Sequence, residues 1–254
     1  MNSNFKETST YYTKYSLKGF EFLFYVGIFE LILIIFSHYF YDSFYFAILG
    51  NIFIRKYIIF ISKYLQRKRS EQILRQFIDM ITALSASLNI GYSIENSITE
   101  AKQTIKTMYG AQSIIYTELI LMERKLLLNI PIESLFEDLG NRTGIEDIIN
   151  FCEILNISKK TGGNLISIIR TTSEHFRENY NIKSEINTSV AARKFEQLIM
   201  FIMPIFIIMY IDFTQPGFFE PLYHNILGIL ISTVCLVIYT LSLLLTKKIL
   251  TIEV

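Results

Sequence analysis

The chain has 254 residues, 51% of them hydrophobic and only 19% charged, whereas a soluble domain carries about 25% charged residues. A formal net charge of +1 leaves no global field to draw in nucleic acid. The two cysteines, Cys152 and Cys235, lie far apart in apolar runs, which excludes a disulfide framework.

Taken from the start, residues 1–18 form a short polar segment with Lys14 and Lys18. A hydrophobic hairpin is predicted over 19–62, as two apolar stretches at 20–40 and 43–61. Glu21 and Glu30 interrupt the first stretch, and Arg55 and Lys56 interrupt the second. A charge at mid-span costs about 2.5–3.5 kcal/mol on insertion scales. Two readings follow. Either Glu30 and Arg55 pair across the hairpin, or the hairpin is shallow and its charges reach the interface. No small-residue cleavage site follows the first stretch, so an uncleaved span is expected.

Residues 66–194 hold most of the charge. Apolar residues recur there at helical spacing: Ile73, Phe77, Met80, Ile81 and Leu84, then Ile148, Phe151, Cys152 and Leu155, with similar sets around Leu119 and Ile169. Period-two alternation is missing, which predicts an all-α bundle. Three places combine Gly or Asn with a helix-start residue and apolar residues four apart. They are Gly91 with Ser93, Asn129 with Pro131, and Gly162-Gly163 with Asn164. Gly and Asn tolerate positive φ, Ser and Asn cap helices, and Pro suits a first turn. Each is read as a corner between helices.

Two further spans are predicted at 195–213 and 222–246, leaving a tail at 247–254. Lysine and arginine flank these elements on one side only: Lys63, Arg67, Lys68 and Arg69, then Arg193 and Lys194, then Lys247 and Lys248. The two short connecting loops contain neither residue. The expected topology is multi-pass, in the cytoplasmic membrane, with both termini and the middle domain in the cytosol.

The ordered corners resemble the type II secretion system F domain family. The stretch FIDMITALSASLNIGYSIENSI from Phe77 is similar to its opening, NIPIESLFEDL from Asn129 to its middle corner, and GGNLISIIRTTSEHFR from Gly162 to a late segment. Ala191-Ala192-Arg193, followed by Pro204 inside a span, resembles the family's entry into the membrane. The likeness covers over half the chain. It departs at Asn129, where a glycine is common, and in the charge-interrupted first hairpin.

The resemblance implies a bacterial platform protein of type IV pilus, Tad (tight adherence) or type II secretion machines. Such a protein couples a cytosolic ATPase to extraction and polymerisation of pilin subunits, as a homodimer or with a paralogous platform subunit. Its single such domain looks like the Tad and archaeal-like members. Competing classes are a transporter using Glu30 and Arg55, and a membrane scaffold or signalling protein.

No chemistry of catalysis is legible. The order Lys159-Lys160-Thr161-Gly162-Gly163 is not that of a phosphate-binding loop, and His38, His175 and His224 lack metal-ligand spacing. Neither enzyme activity, cofactor nor metal is expected. Glu95, Glu133, Glu137 and Asp138 sit beside the corners. They either meet a basic ATPase surface or serve helix N-termini. The basic clusters are read first as contacts to anionic lipid headgroups.

Overall fold

The computed structural model describes residues 12, 19–41, 45–160, 164–223 and 225–252. The protein is all-α, with no strand among these residues. Its helices divide into two units: residues 1–16 with 62–181, and residues 17–61 with 182–254.

The second unit holds the apolar segments. It begins with α1 (Gly19–Tyr41), whose 21 residues from Gly19 to Tyr39 are long and apolar enough to cross a membrane. At 1.5 Å per residue they span about 31 Å, close to the hydrocarbon thickness. The described part of the second apolar stretch is helical and tightens into a 3-10 turn midway. Its length is divided into α2 (Tyr45–Gly50), one turn of 3-10 helix (Asn51–Phe53) and the start of α3 (Ile54–Asn89). Among the described residues, the helices long and apolar enough to cross a membrane lie at 19–39, within 166–214 and at 226–246. Gly50 precedes the 3-10 turn. A Cβ there would sit 2.6 Å from Leu33 Cδ2, so a larger residue would require the Leu33 side chain of α1 to shift.

α3 continues into the first unit, where four shorter helices follow: α4 (Ile94–Tyr109), α5 (Ile114–Leu126), α6 (Ile132–Thr143) and α7 (Glu146–Lys160). Their ends follow local chemistry. Ser93 Oγ accepts from the Asn96 amide at 3.3 Å and caps α4. Gly91 has φ 97° and Asn129 φ 59°, so both corners turn through the left-handed region. Pro131 stands just before α6 in extended conformation, and Gly144 ends α6 at φ 61°. α5 is capped from another helix, because the Ile115 amide donates to Gln76 Oε1 of α3 at 3.3 Å. Asn164 Oδ1 accepts from the Ile166 amide at 3.0 Å and opens α8 (Leu165–Thr214). Gly162 and Gly163, expected in the same corner, lie outside the described residues.

The first unit's core is aromatic at its centre. Phe77, Phe136 and Phe151 are fully buried and meet edge to face, with ring centroids 5.2–6.4 Å apart. Ile98, Ile105, Ile115, Leu119, Leu139, Leu155 and Ile169 close around them. α6 and α7 pack tightly at Gly140, where a Cβ would lie 3.0 Å from Cys152 Sγ and 3.6 Å from Ile149 Cα. Gly140→Ala is therefore expected to destabilise the unit by about 1–3 kcal/mol. Adding Cys152→Ala should make the loss less than the sum of the two single changes in a urea-unfolding cycle.

α8 is 50 residues long, about 75 Å. Its first part carries core residue Ile169, and its last part supplies an uncharged apolar run at 197–211. Pro204 lies inside it without ending it. α9 (Glu220–Tyr223) and α10 (Ile226–Ile252) complete the second unit, with the apolar 226–246 segment of α10 again long enough to cross a membrane. Tyr223 Oη donates to the Tyr39 carbonyl at 2.7 Å, satisfying one of the open carbonyls in the last turn of α1. Tyr239 Oη of α10 donates to the Phe201 carbonyl of α8. The tail after residue 252 and His224 lie outside the described residues.

Candidate functional site

The polar groups of the helical unit fall into two sets, one at an end of the bundle and one within it. α4 and α5 run antiparallel, with Glu123 near the end of α5 placed against Thr99 and Lys102 in the first half of α4. The corners at Gly91 and Asn129 therefore share one end of the bundle. α7 returns to the same end, where Asn156 Nδ2 donates to Glu137 Oε2 at 3.2 Å. Exposed Ile90, Leu127 and Leu128 stand there among Glu95, Glu133 and Glu137. Large apolar side chains at two corners, flanked by carboxylates, suit a protein contact better than bare solvent.

The four acids expected at the corners thus have different surroundings. Glu95 is exposed in the first turn of α4. Glu133 is half-buried in the first turn of α6, and Glu137 is exposed but bonded to Asn156. Asp138 is engaged inside the unit, 3.3 Å from Lys125 Nζ and 3.2 Å from Arg142 Nη2. At 43% exposure its pairs are worth little individually.

The Lys102 ammonium bonds both oxygens of Glu123, at 2.6 and 2.5 Å, and Thr99 Oγ1 donates to one of them at 2.8 Å. The Lys102 hydrogen bond holds the Glu123 carboxyl below its usual 4.5. A depressed carboxyl adds stability above its unfolded value and loses it as pH falls through the folded one. The melting temperature should thus fall as pH drops below 4.5, and Glu123→Gln should flatten that acid limb in a pH series of melts. Tyr109 donates to Asp79 of α3, and burial raises its phenol to about 12.

The buried set centres on Glu118 of α5, which is 1% exposed. Arg142 of α6 grips it with both terminal nitrogens, Nη1 to Oε1 and Nη2 to Oε2, each at 2.5 Å. This bidentate fork is the strong form of the pair. Burial works against the Arg142 charge, but the Glu118 bonds outweigh it and raise the guanidinium's pKa.

A third residue closes the set. Tyr12 Oη donates to Glu118 Oε1 at 2.8 Å, and its amide donates to the Arg142 carbonyl at 3.0 Å. The Arg69 guanidinium of α3 stands 5.8 Å from the Tyr12 ring centroid. Burial, followed by the Glu118 charge, pushes the Tyr12 phenol upward, so it stays a protonated donor. A hydrogen bond to a charged acceptor contributes about 1.5–3 kcal/mol and a neutral one about 0.5–1.5. Fixing one residue's backbone costs about 1–2 kcal/mol and its side chain more. The ring is 9% exposed and packs into the hydrophobic core, so apolar burial adds to these bonds.

Sequence reasoning did not find this set. It read residues 1–18 as a short polar segment and took the apolar set around Leu119, which includes Ile115, as core without Glu118. A signal was present: Glu118 falls at the i+3 position of that buried face, and a charge there demands a partner.

Within the apolar unit the expected Glu30–Arg55 contact does not form. Glu30 Oε2 instead accepts from Asn51 Nδ2 at 3.4 Å. Asn51, in the 3-10 turn, lies opposite Glu30 where Arg55 was expected. Phe29 and Tyr57 stack on the same pair of segments, with centroids 4.7 Å apart.

No group of His, Cys, Asp or Glu among the described residues could hold a metal ion. Burial pushes the Cys152 thiol up to about 12, and its Sγ donates to the Phe136 carbonyl at 2.9 Å, so it is a packed side chain rather than a nucleophile. An apolar groove of about 460 Å³ lies between α1, α2 and α10, lined by Leu33, Phe36, Leu49 and Leu236 among others.

The fold defines an all-α protein that has, among the described residues, three helices long and apolar enough to cross a membrane, and a separate helical unit. Against known proteins, no family model, curated protein or solved structure matches the chain.

Proposed function

We propose that this is a membrane platform protein of a pilus or secretion assembly machine, of the type II secretion system F domain kind. In this reading the helical unit stands in the cytosol and docks an ATPase. The apolar helices anchor it in the cytoplasmic membrane beside pilin subunits, with both termini inside, as the lysine and arginine distribution favours. A second platform subunit, identical or paralogous, completes the assembly. The chain itself hydrolyses nothing.

One observation carries the reading. α8 runs unbroken from core residue Ile169 to the apolar run ending near Thr214. A continuous hydrogen-bonded helix transmits rotation or tilt, whereas a flexible linker absorbs it. The bundle end with Ile90, Leu127 and Leu128 among Glu95, Glu133 and Glu137 supports a contact with an apolar, basic-rimmed partner.

Deleting the gene and complementing it with a chain carrying three glycines after Asn187 tests both parts. Deletion should abolish surface appendages. The glycine insertion should leave the protein inserted but fail to restore them. Normal appendages in the deletion strain would sink the assembly reading. Flux of ions or solutes in liposomes would favour a transporter instead.

A further inference from the structure

The groove between α1, α2 and α10 ends beside a lysine. Leu49, Gly50 and Phe53 form one of its walls, and Lys56 continues the same helix face one turn beyond Phe53. The Lys56 ammonium stands 5.9 Å from the Phe53 ring centroid. We propose that groove and lysine together bind an anionic phospholipid, with one acyl chain along the groove and the phosphate against Lys56. The proposal rests on the membrane placement of the apolar helices and is independent of the assembly role.

The groove suits a hydrocarbon tail. It encloses about 460 Å³, and Leu33, Phe36, Leu49, Phe53 and Leu236 line it. From Lys56 back to Leu49 the chain covers about 11 Å along its axis. One leaflet contributes roughly 15 Å of hydrocarbon, so the groove takes up the upper part of a single tail. The lysine and arginine distribution places Lys56 on the cytosolic side of Leu49. A lipid of the cytosolic leaflet therefore presents headgroup and tail in the order in which the lysine and the groove lie.

The charge selects the headgroup. Lys56 is exposed, and so are Ile52, Ile59 and Phe60, one turn away on the same face. In the bilayer that face meets hydrocarbon rather than water, where an ammonium needs a counter-ion. Among the described residues no carboxylate pairs with Lys56. A lipid phosphate supplies the missing anion through a charge-assisted hydrogen bond. A zwitterionic headgroup carries its own ammonium to compete for that phosphate, and an anionic one does not. Arg55 is exposed as well, but it lies two residues from Phe53 and so on a different face.

The chain has no tryptophan, so a single introduced one reports its own surroundings. Leu49→Trp puts the reporter on the groove wall, and Met200→Trp puts another at an exposed position of α8 outside the groove lining. The full chain is reconstituted in phosphatidylcholine vesicles containing a minor share of phosphatidylglycerol. Quenching by tail-brominated forms of the two lipids is then compared. At Leu49→Trp phosphatidylglycerol should be favoured about fivefold over its share, and at Met200→Trp it should quench in proportion to its share. Adding Lys56→Gln should abolish the preference, whereas Arg55→Gln should keep most of it. Thr240→Phe narrows the groove without changing a charge and should also weaken the preference. Equal preference at the two reporters would overturn the proposal. So would a preference that survives Lys56→Gln, ignores Thr240→Phe, or vanishes as fully with Arg55→Gln, which would mean diffuse attraction to a charged surface. Quenching at neither reporter would put these helices outside the bilayer, and the membrane placement would fall together with the proposal. Should the Leu49→Trp chain fail to reconstitute, native mass spectrometry of the unmodified chain decides. Phosphatidylglycerol should stay bound to it and leave the Lys56→Gln chain, and equal retention by both would end the proposal.

Discussion

Arg142→Ala is expected to cost the helical unit about 3–5 kcal/mol, among the largest effects available to a single substitution. The loss comes less from the missing attraction than from what remains. Glu118 is 1% exposed and would be left in the interior with Tyr12 as its remaining hydrogen-bond donor. Water cannot reach it unless the packing of α5 against α6 loosens. The expected readout is a large drop in the urea midpoint, followed by far-ultraviolet circular dichroism in micelles, and early labelling of Cys152 in a Cys235→Ser background. The control is as informative as the variant. Replacing both charges, Glu118→Leu with Arg142→Met, should recover most of the loss, since two apolar groups of similar volume leave no bare charge. If the single change were harmless, the pair would have to be far wetter than its burial implies.

Phe151→Ala should cost about 3–5 kcal/mol, by a different route. Phe151 is fully buried and touches Phe77, Phe136 and Phe176, with ring centroids 5.3, 5.2 and 6.3 Å away. These neighbours come from α3, α6 and α8, so the ring is where several helices meet. Truncation opens a cavity that rigid aromatic partners cannot collapse into. Phe151→Leu should lose much less, because it restores part of the volume. Comparable losses for the two variants would mean that ring geometry, not volume, sets the effect. The same unfolding assay distinguishes them.

The helical character and the corners were legible because each rests on local rules. The spacing of Ile73, Phe77, Met80 and Leu84 marks a buried helix face wherever it occurs, and all four are buried here. Asn129 could be assigned to a turn because its side chain tolerates the left-handed region, and its φ is 59°. What sequence alone did not reveal depends on partners distant along the chain. Tyr12 and Glu118 are 106 positions apart, and no local pattern joins them. The course of the second apolar stretch depends on such partners too. Hydropathy over residues 43–61 does not reveal the tighter 3-10 turn at Asn51–Phe53, where Gly50 sits against Leu33 of α1. Of the two readings for the hairpin charges, the Glu30–Arg55 pair does not form, and Glu30 meets Asn51 instead.

Pro204 gives α8 an uneven stiffness. Proline has no amide hydrogen, so the Met200 carbonyl loses its partner one turn earlier, while Tyr239 secures the neighbouring carbonyl of Phe201 from the side. A rod loaded at one end yields first at its weakest rung, and here that rung lies within the greasy stretch rather than in the charged stretch before it. Any bending of this helix would therefore be felt among lipid tails, with Tyr239 acting as a brace that limits how far it goes.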